Sequence, residues 1–243
     1  MGRYVIGDIH GCSDELRRLM DGLPLSSGDR LVFLGDYIDR GPDSNGVVSY
    51  LLALQKSYHE IQFVFLKGNH EDMFLSFLGL GGQHGDMFIV NGGKTTLESY
   101  GLAPHQTPQE VLAAIPAEHL GFFKNLVNHY MMDSFLCVHA GINPQKTLAE
   151  QSEEELLWIR NTFIYRSHPL PYTVLFGHTP QPTVFYDLPY KVGLDTGLVY
   201  GNMLTCLEVD EKVLYQISRG RKSVNRTSAQ RRWNSSRGSP VTA

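Results

Sequence analysis

Five short apolar runs in this chain of 243 residues each end in a polar cluster that contains glycine. Tyr4 to Ile6 leads into GDIHG, Leu31 to Leu34 into GDYIDRG, Ile61 to Leu66 into KGNHE, Phe135 to Val138 into HAG, and Val174 to Phe176 into GHT. Runs this short, rich in β-branched and aromatic residues and cut off by glycine, have the pattern of buried strands. Amphipathic segments separate the first three. Ser13 is a candidate N-cap for a helix with Leu16, Leu19, Met20 and Leu23 on one face. A second helix is expected from about Ser44 to Lys56, with Val47, Tyr50, Leu51 and Leu54 facing inward, and a third from about Glu71 to Leu78. Strand, loop and helix in repetition is the α/β pattern, whose ligands gather beyond the carboxyl ends of the strands. The polar clusters fall at those ends.

From Gly79 the chain turns glycine-rich and irregular, and residues 79–130 read as an insertion near the strand ends, helical around Pro108 to Leu126. Gly92-Gly93-Lys94-Thr95 looks like the end of a phosphate-binding P-loop, but Phe88 stands where that motif needs glycine, so a flexible turn is expected. TVFYD, YKVGLDTG, MLTCLEVD and KVLYQIS are closely spaced strand candidates and read as an antiparallel meander, a second sheet packed on the first.

A chain of this length can enclose a core in one domain, placed at residues 1–218. From Arg219 onward there are seven basic residues and no acidic one, which leaves 14 of the 21 basic residues in the body against all 25 acidic ones. Residues 219–243 are therefore expected to be a disordered tail. A nucleic acid or an acidic partner would be reached only through it, and Trp233 is its one residue suggestive of a docking contact. No apolar run approaches the roughly 20 residues of a spanning helix, and MGRYVIGDIH has no signal-peptide character. A cytoplasmic monomer that engages no membrane is expected. Cys12, Cys137 and Cys206 are far apart and fit no metal-binding spacing, so they should be reduced. The last two read as core strand residues; Cys12 directly follows GDIHG and would be open to oxidation if exposed.

Asp8, His10, Asp36, Asn69, His139 and His178 collect at the strand ends. Two carboxylates, an amide and three imidazoles, without a thiolate, suit manganese, iron or zinc in a catalytic rather than a structural site. They offer too many contacts for one catalytic ion that must keep open positions, and suit two ions about 3.5 to 4 Å apart that share a carboxylate. The other histidines away from the clusters, His59, His84, His105, His119, His129 and His168, read as surface or satisfied core residues.

In this order, GDIHG, GDYIDRG, GNHE, HAG and GHT resemble the bacterial branch of the metal-dependent phosphoprotein phosphatase (PPP) family, within the calcineurin-like metallophosphoesterases. The likeness spans residues 7 to 179. It implies an α/β fold, a four-layer α-β-β-α sandwich of two mixed sheets flanked by helices. It implies two divalent metal ions, manganese foremost and otherwise iron or zinc, with Asp8 and His10 on the first, Asp36 bridging both, and Asn69, His139 and His178 on the second. His70 would be the general acid, oriented by Asp39, while Arg40 and Arg160, with Asn69 beside them, would contact the substrate phosphate. A hydroxide bridging the ions would attack phosphorus directly. The substrate implied is a phosphoserine or phosphothreonine monoester, extending to phosphotyrosine, in a protein or a small phosphoester. The same branch includes symmetrical diadenosine tetraphosphatases, so a dinucleoside polyphosphate stands as the alternative. Lys67 before GNHE, HAG in place of HGG, and a short GHT depart from the eukaryotic members.

Overall fold

A computed structural model describes residues 1–235. The first half runs β1 (Arg3–Ile6), α1 (Ser13–Asp21), β2 (Arg30–Phe33), α2 (Ser44–Ser57), β3 (Gln62–Phe65) and α3 (Asn69–Phe77). The insertion contributes α4 (Lys94–Ser99), α5 (Pro108–Ala114) and α6 (Ala117–Lys124). The second half supplies β4 (His129–Met132), β5 (Phe135–Val138), α7 (Glu153–Trp158), α8 (Asn161–Ile164), β6 (Thr173–Phe176), β7 (Phe185–Asp187) and β8 (Lys191–Gly193). It closes with β9 (Met203–Glu208), β10 (Val213–Ser218), β11 (Asn225–Ser228) and α9 (Gln230–Ser235).

Two mixed sheets result, in the orders β11-β10-β9-β1-β2-β3 and β4-β5-β6-β8-β7. The strands read as apolar runs because both of their faces are buried. Tyr4, Ile6, Leu31 and Phe33 face α1 and α2 through Leu16, Leu19, Val47 and Leu51. The alternate residues Val5, Val32 and Leu34 meet Cys137, Leu175 and Val192 of the second sheet. Leu136, Val138, Val174 and Phe176 turn the other way, onto Leu156, Phe163 and Ile164. Three cores between four layers make the expected α-β-β-α sandwich. The parallel pairings β1–β2, β2–β3, β5–β6 and β6–β8 leave their carboxyl ends at one rim.

Local chemistry refines the helix ends. Ser13 is the first residue of α1 rather than its cap, and its hydroxyl donates to Asp43 Oδ2 at 2.5 Å, while Asp43 Oδ1 caps α2 by accepting from Gly46 N at 2.8 Å. The single helix expected around Pro108 to Leu126 is two, because Pro116 has no N–H and pushes Ile115 out of helical backbone to ψ 130°.

Two larger expectations are corrected. The four C-terminal strand candidates do not form one meander: β7–β8 is a hairpin in the second sheet, whereas β9–β10 is a hairpin in the first. Hairpin spacing shows which neighbours pair but not which sheet receives them. The segment from Arg219 is also not an unstructured tail through residue 235. β11 pairs antiparallel with β10, Arg219 Nη1 donates to Glu15 Oε2 at 2.5 Å, and Trp233 lies edge-on to Tyr186 at 5.7 Å. Every residue of β11 is exposed, and an edge strand held by main-chain bonds needs no apolar pattern to mark it. Residues 236–243, Arg237 among them, lie outside the described residues.

The three cysteines are free and buried, Cys137 on β5 and Cys206 on β9. Burial pushes the Cys12 thiol up to about 12, so it is neither exposed nor reactive. His119 and His168 are buried with partners, while His59, His84, His105 and His129 are exposed. Among the described residues no helix is long and apolar enough to cross a membrane.

Candidate active site

The polar clusters meet because their loops are bonded to one another. Asp36 O accepts both Ile9 N (3.1 Å) and His10 N (2.8 Å), Gly177 N donates to His139 O at 2.7 Å, and His70 N donates to Asp36 Oδ1 at 3.2 Å. The loops turn sharply. His10, Asp36, Asp39, Arg40 and His178 all have left-handed backbone, with φ between 47° and 72°. Non-glycine residues rarely adopt that region, and each held there costs about 1–3 kcal/mol, so the surrounding bonds must impose it. Gly35 is required at the turn out of β2: its φ is 101°, and a Cβ would meet Gly68 N at 2.6 Å.

Beneath the turn lies Glu71. Its Oε2 accepts the N–H groups of Asp36 and Gly68, each at 2.9 Å, and its Oε1 accepts that of Tyr37 at 2.8 Å and of Ile38 at 3.3 Å. One buried carboxylate thus joins the GDYIDRG and GNHE loops and caps α3. Burial, reinforced by Asp36, pushes its acid up to about 8.

Above it, lone pairs converge. Burial pushes the His10 imidazole down to about 3 and lowers His139 and His178 as well, so all three are neutral and carry one ring proton each. The His10 and His139 Nδ1–H groups donate to Ile38 O and Leu34 O, both at 2.8 Å. Their Nε2 atoms are therefore acceptors, and they face Asp36 Oδ2 at 3.3 Å and Asp36 Oδ1 at 3.4 Å. Asn69 Oδ1, another acceptor, lies 3.0 Å from His139 Nε2 and 2.9 Å from His178 Nδ1, which donates to it. His178 Nε2 and Asp8 Oδ1 are buried without a hydrogen-bond partner. Acceptors gathered in this way, with the His10 and His139 imidazoles fixed through backbone carbonyls, are the arrangement that cations require. Two triads able to hold an ion, His10–Asp36–His70 and Asp36–His139–His178, share Asp36.

Beside them His70 Nδ1 and Asp39 Oδ2 are 2.6 Å apart, and His70 Nε2 is buried, free of hydrogen bonds and 4.0 Å from Asp36 Oδ2. Arg40 Nη1 donates to His10 Nε2 at 2.6 Å, so its positive charge already sits at the edge of the cluster. Arg160 is exposed, yet close enough to help lower His178, after burial and His139. The structure thus brings Asp8, His10, Asp36, Asp39, Arg40, Asn69, His70, His139, Arg160 and His178 to one rim.

The sequence model of the calcineurin-like phosphoesterases matches residues 3–205. The chain belongs to this family. Two curated relatives show how it varies. An asymmetrical bis(5'-nucleosyl)-tetraphosphatase from Anoxybacillus flavithermus is 26% identical over 233 residues, covering 85% of this chain and 90% of its own. A symmetrical bis(5'-nucleosyl)-tetraphosphatase from Coxiella burnetii is 30% identical over 189 residues, 73% of this chain, which spans only 54% of that relative's length. A solved structure provisionally described as a diadenosine tetraphosphatase has the same fold, with a TM-score of 0.69 at 23% identity over 90% of this chain and 93% of that one.

Three residues of this phosphoesterase's site are absent from the motif reading. Asp195, between Leu194 and Gly197, is buried beside Asp8, and burial pushes it up to about 7. The acid between glycines in VGLDTG was its only visible signal. Trp158, at the end of α7, lies edge-on to His178 at 6.2 Å. Thr96 directly follows Gly92-Gly93-Lys94-Thr95, the segment read as a flexible turn; that segment instead leads into α4, and Gly92 O accepts Arg40 N at 3.2 Å. Only glycine fits there, because a Cβ on Gly92 would meet Arg40 N at 2.8 Å.

Proposed function

We propose that this phosphoesterase hydrolyses dinucleoside polyphosphates, with symmetrical cleavage of diadenosine tetraphosphate as its reaction. The observation that carries the hydrolytic part is Asp36, whose Oδ2 faces His10 Nε2 at 3.3 Å and whose Oδ1 faces His139 Nε2 at 3.4 Å, so that one carboxylate meets two histidine clusters. The donor atoms fit two ions: Asp8, His10 and Asp36 would hold one, and Asp36, Asn69, His139 and His178 the other, with manganese suited to this nitrogen and oxygen set. Bound there, they supply Lewis-acid activation of water and neutralise phosphate charge. The chain's own groups do the rest. Arg40, bonded to His10, and Arg160, within electrostatic reach of His178, grip phosphate oxygens, for which a planar guanidinium is well shaped. His70 Nε2 delivers a proton to the leaving oxygen while Asp39 holds Nδ1–H and fixes the ring. Residues 1–235 act as one catalytic domain, with residues 79–130 walling the site.

The substrate preference is supported by the names of both relatives and by Tyr200, 62% exposed with its ring 5.7 Å from the Arg40 guanidinium, which offers a base a face beside the phosphates. A phosphoprotein phosphatase is the second reading, favoured by the intact GDYIDRG and GNHE. Manganese-loaded protein should convert diadenosine tetraphosphate into two nucleoside diphosphates, resolved by chromatography. Monophosphate with triphosphate would indicate asymmetrical cleavage, and turnover of phosphopeptides faster by orders of magnitude would hand the assignment to the second reading.

A further inference from the structure

Thr96, on α4 of the insertion, is buried with its hydroxyl against the carboxylate that orients His70. Thr96 Oγ1 lies 2.5 Å from Asp39 Oδ1, and Asp39 N donates to Thr96 Oγ1 at 2.9 Å. Ser44 Oγ is 3.0 Å from Thr96 Oγ1 and 3.1 Å from Asp39 N. A hydroxyl has one proton and two lone pairs. An ionised carboxylate only accepts, so the Thr96 proton belongs to Asp39 Oδ1, and Ser44 must donate to Thr96. This exhausts the Thr96 hydroxyl and leaves Asp39 Oδ2 pointed at His70 Nδ1. Asp39 has left-handed backbone (φ 72°), which it would not adopt unaided, and Thr96 grips both its carboxylate and its N–H.

We infer that Thr96 is a positioning residue for the Asp39–His70 pair, so that the insertion aligns the proton donor as well as walling the site. The same segment sets Arg40 through Gly92 O, one residue further along the loop. This inference rests on the proposal that His70 protonates the leaving oxygen. Proton donation matters most when the leaving group is poor, and a loosely held ring loses alignment without losing its place in the fold.

The test compares Thr96→Val, Thr96→Ser and His70→Asn in manganese-loaded protein on phenyl phosphate and 2,4-dinitrophenyl phosphate. Thr96→Val should lower kcat about 10- to 100-fold on the first and no more than about 3-fold on the second, with metal content and KM unchanged. Thr96→Ser should restore most of the loss, since it returns the hydroxyl. Placed on Asp39→Asn, Thr96→Val should add nothing, which keeps the inference testable through Thr96→Ala if the valine destabilises the fold. Equal losses on both substrates, no loss, or lost metal would overturn it. If Thr96→Val shows no leaving-group dependence while His70→Asn does, the inference alone fails. If His70→Asn shows none either, the general-acid role fails with it.

Discussion

Glu71 holds the Asp36 backbone: its Oε2 accepts the Asp36 N–H at 2.9 Å, while the Asp36 carboxylate meets His10 and His139. The same oxygen takes the Gly68 N–H, so a single side chain sets the distance between the loops that end β2 and β3. Replacing Glu71 by Ala strands four buried N–H groups. At about 1–3 kcal/mol for each buried group left unpaired, and with partial relaxation, the loss should be about 3–5 kcal/mol. Urea unfolding measures it. A change below about 1 kcal/mol would show that water replaces the carboxylate without cost.

Asp36→Asn should disturb both proposed ions together, because Oδ2 faces His10 and Oδ1 faces His139. Metal analysis of the purified variant should find far less than the two ions expected per chain of wild type. Loss of one ion with full retention of the other would show that Asp36 is not shared.

Removing residues 219–243 should weaken the fold rather than merely shorten it. The deletion strips β11 from the edge of the first sheet, the Arg219–Glu15 ion pair, and the packing of Trp233 on Tyr186. It also bares β10 as a new edge open to association. A loss of about 2–3 kcal/mol corresponds to a Tm lower by roughly 5–10 °C at this chain length. An unchanged Tm would return the segment to the status of a dispensable tail.

In metal-free protein, stability should fall as pH rises from about 6.5 to 8. Burial pushes Asp195 up to about 7 and Glu71 up to about 8, so the folded chain keeps protons that the unfolded chain has already released. Stability from such groups is complete below the ordinary carboxyl range and is lost as pH climbs through 7 to 8. His10, pushed down to about 3, and the lowered His139 and His178 act in the opposite sense, chiefly below the unfolded imidazole value of about 6.5. Above that pH the imidazoles lose their remaining unfolded-state protons within about one pH unit, and the raised carboxyls dominate the change. Thermal unfolding of chelated protein at both pH values measures the fall, and saturating manganese should reduce it, because cations held nearby favour the ionised carboxyls in the folded chain. A flat profile without metal would mean that these acids are already ionised at pH 6.5.

By itself, the order of five apolar runs and five polar clusters determined the α/β class, the rim that carries the site, and six of its residues, Asp8, His10, Asp36, Asn69, His139 and His178, while Asp39, Arg40, His70 and Arg160 entered through the family resemblance that the clusters carry. That was legible because apolar periodicity and glycine stops are local properties, and in an α/β fold local repetition dictates where strand ends meet. Tertiary structure alone decided the rest. Gly92 read as part of a flexible turn and Thr96 carried no signal until this segment, distant in sequence, was seen to grip Asp39 and Arg40. Asp195 gained its place only when the chain crossed from one sheet to the other and brought it beside Asp8. β11, polar throughout, was identified only by its backbone bonds to β10. For Thr96 and Asp195 the deciding contact joins segments remote in sequence, and for β11 it is a main-chain ladder; such contacts leave no periodic trace along the chain.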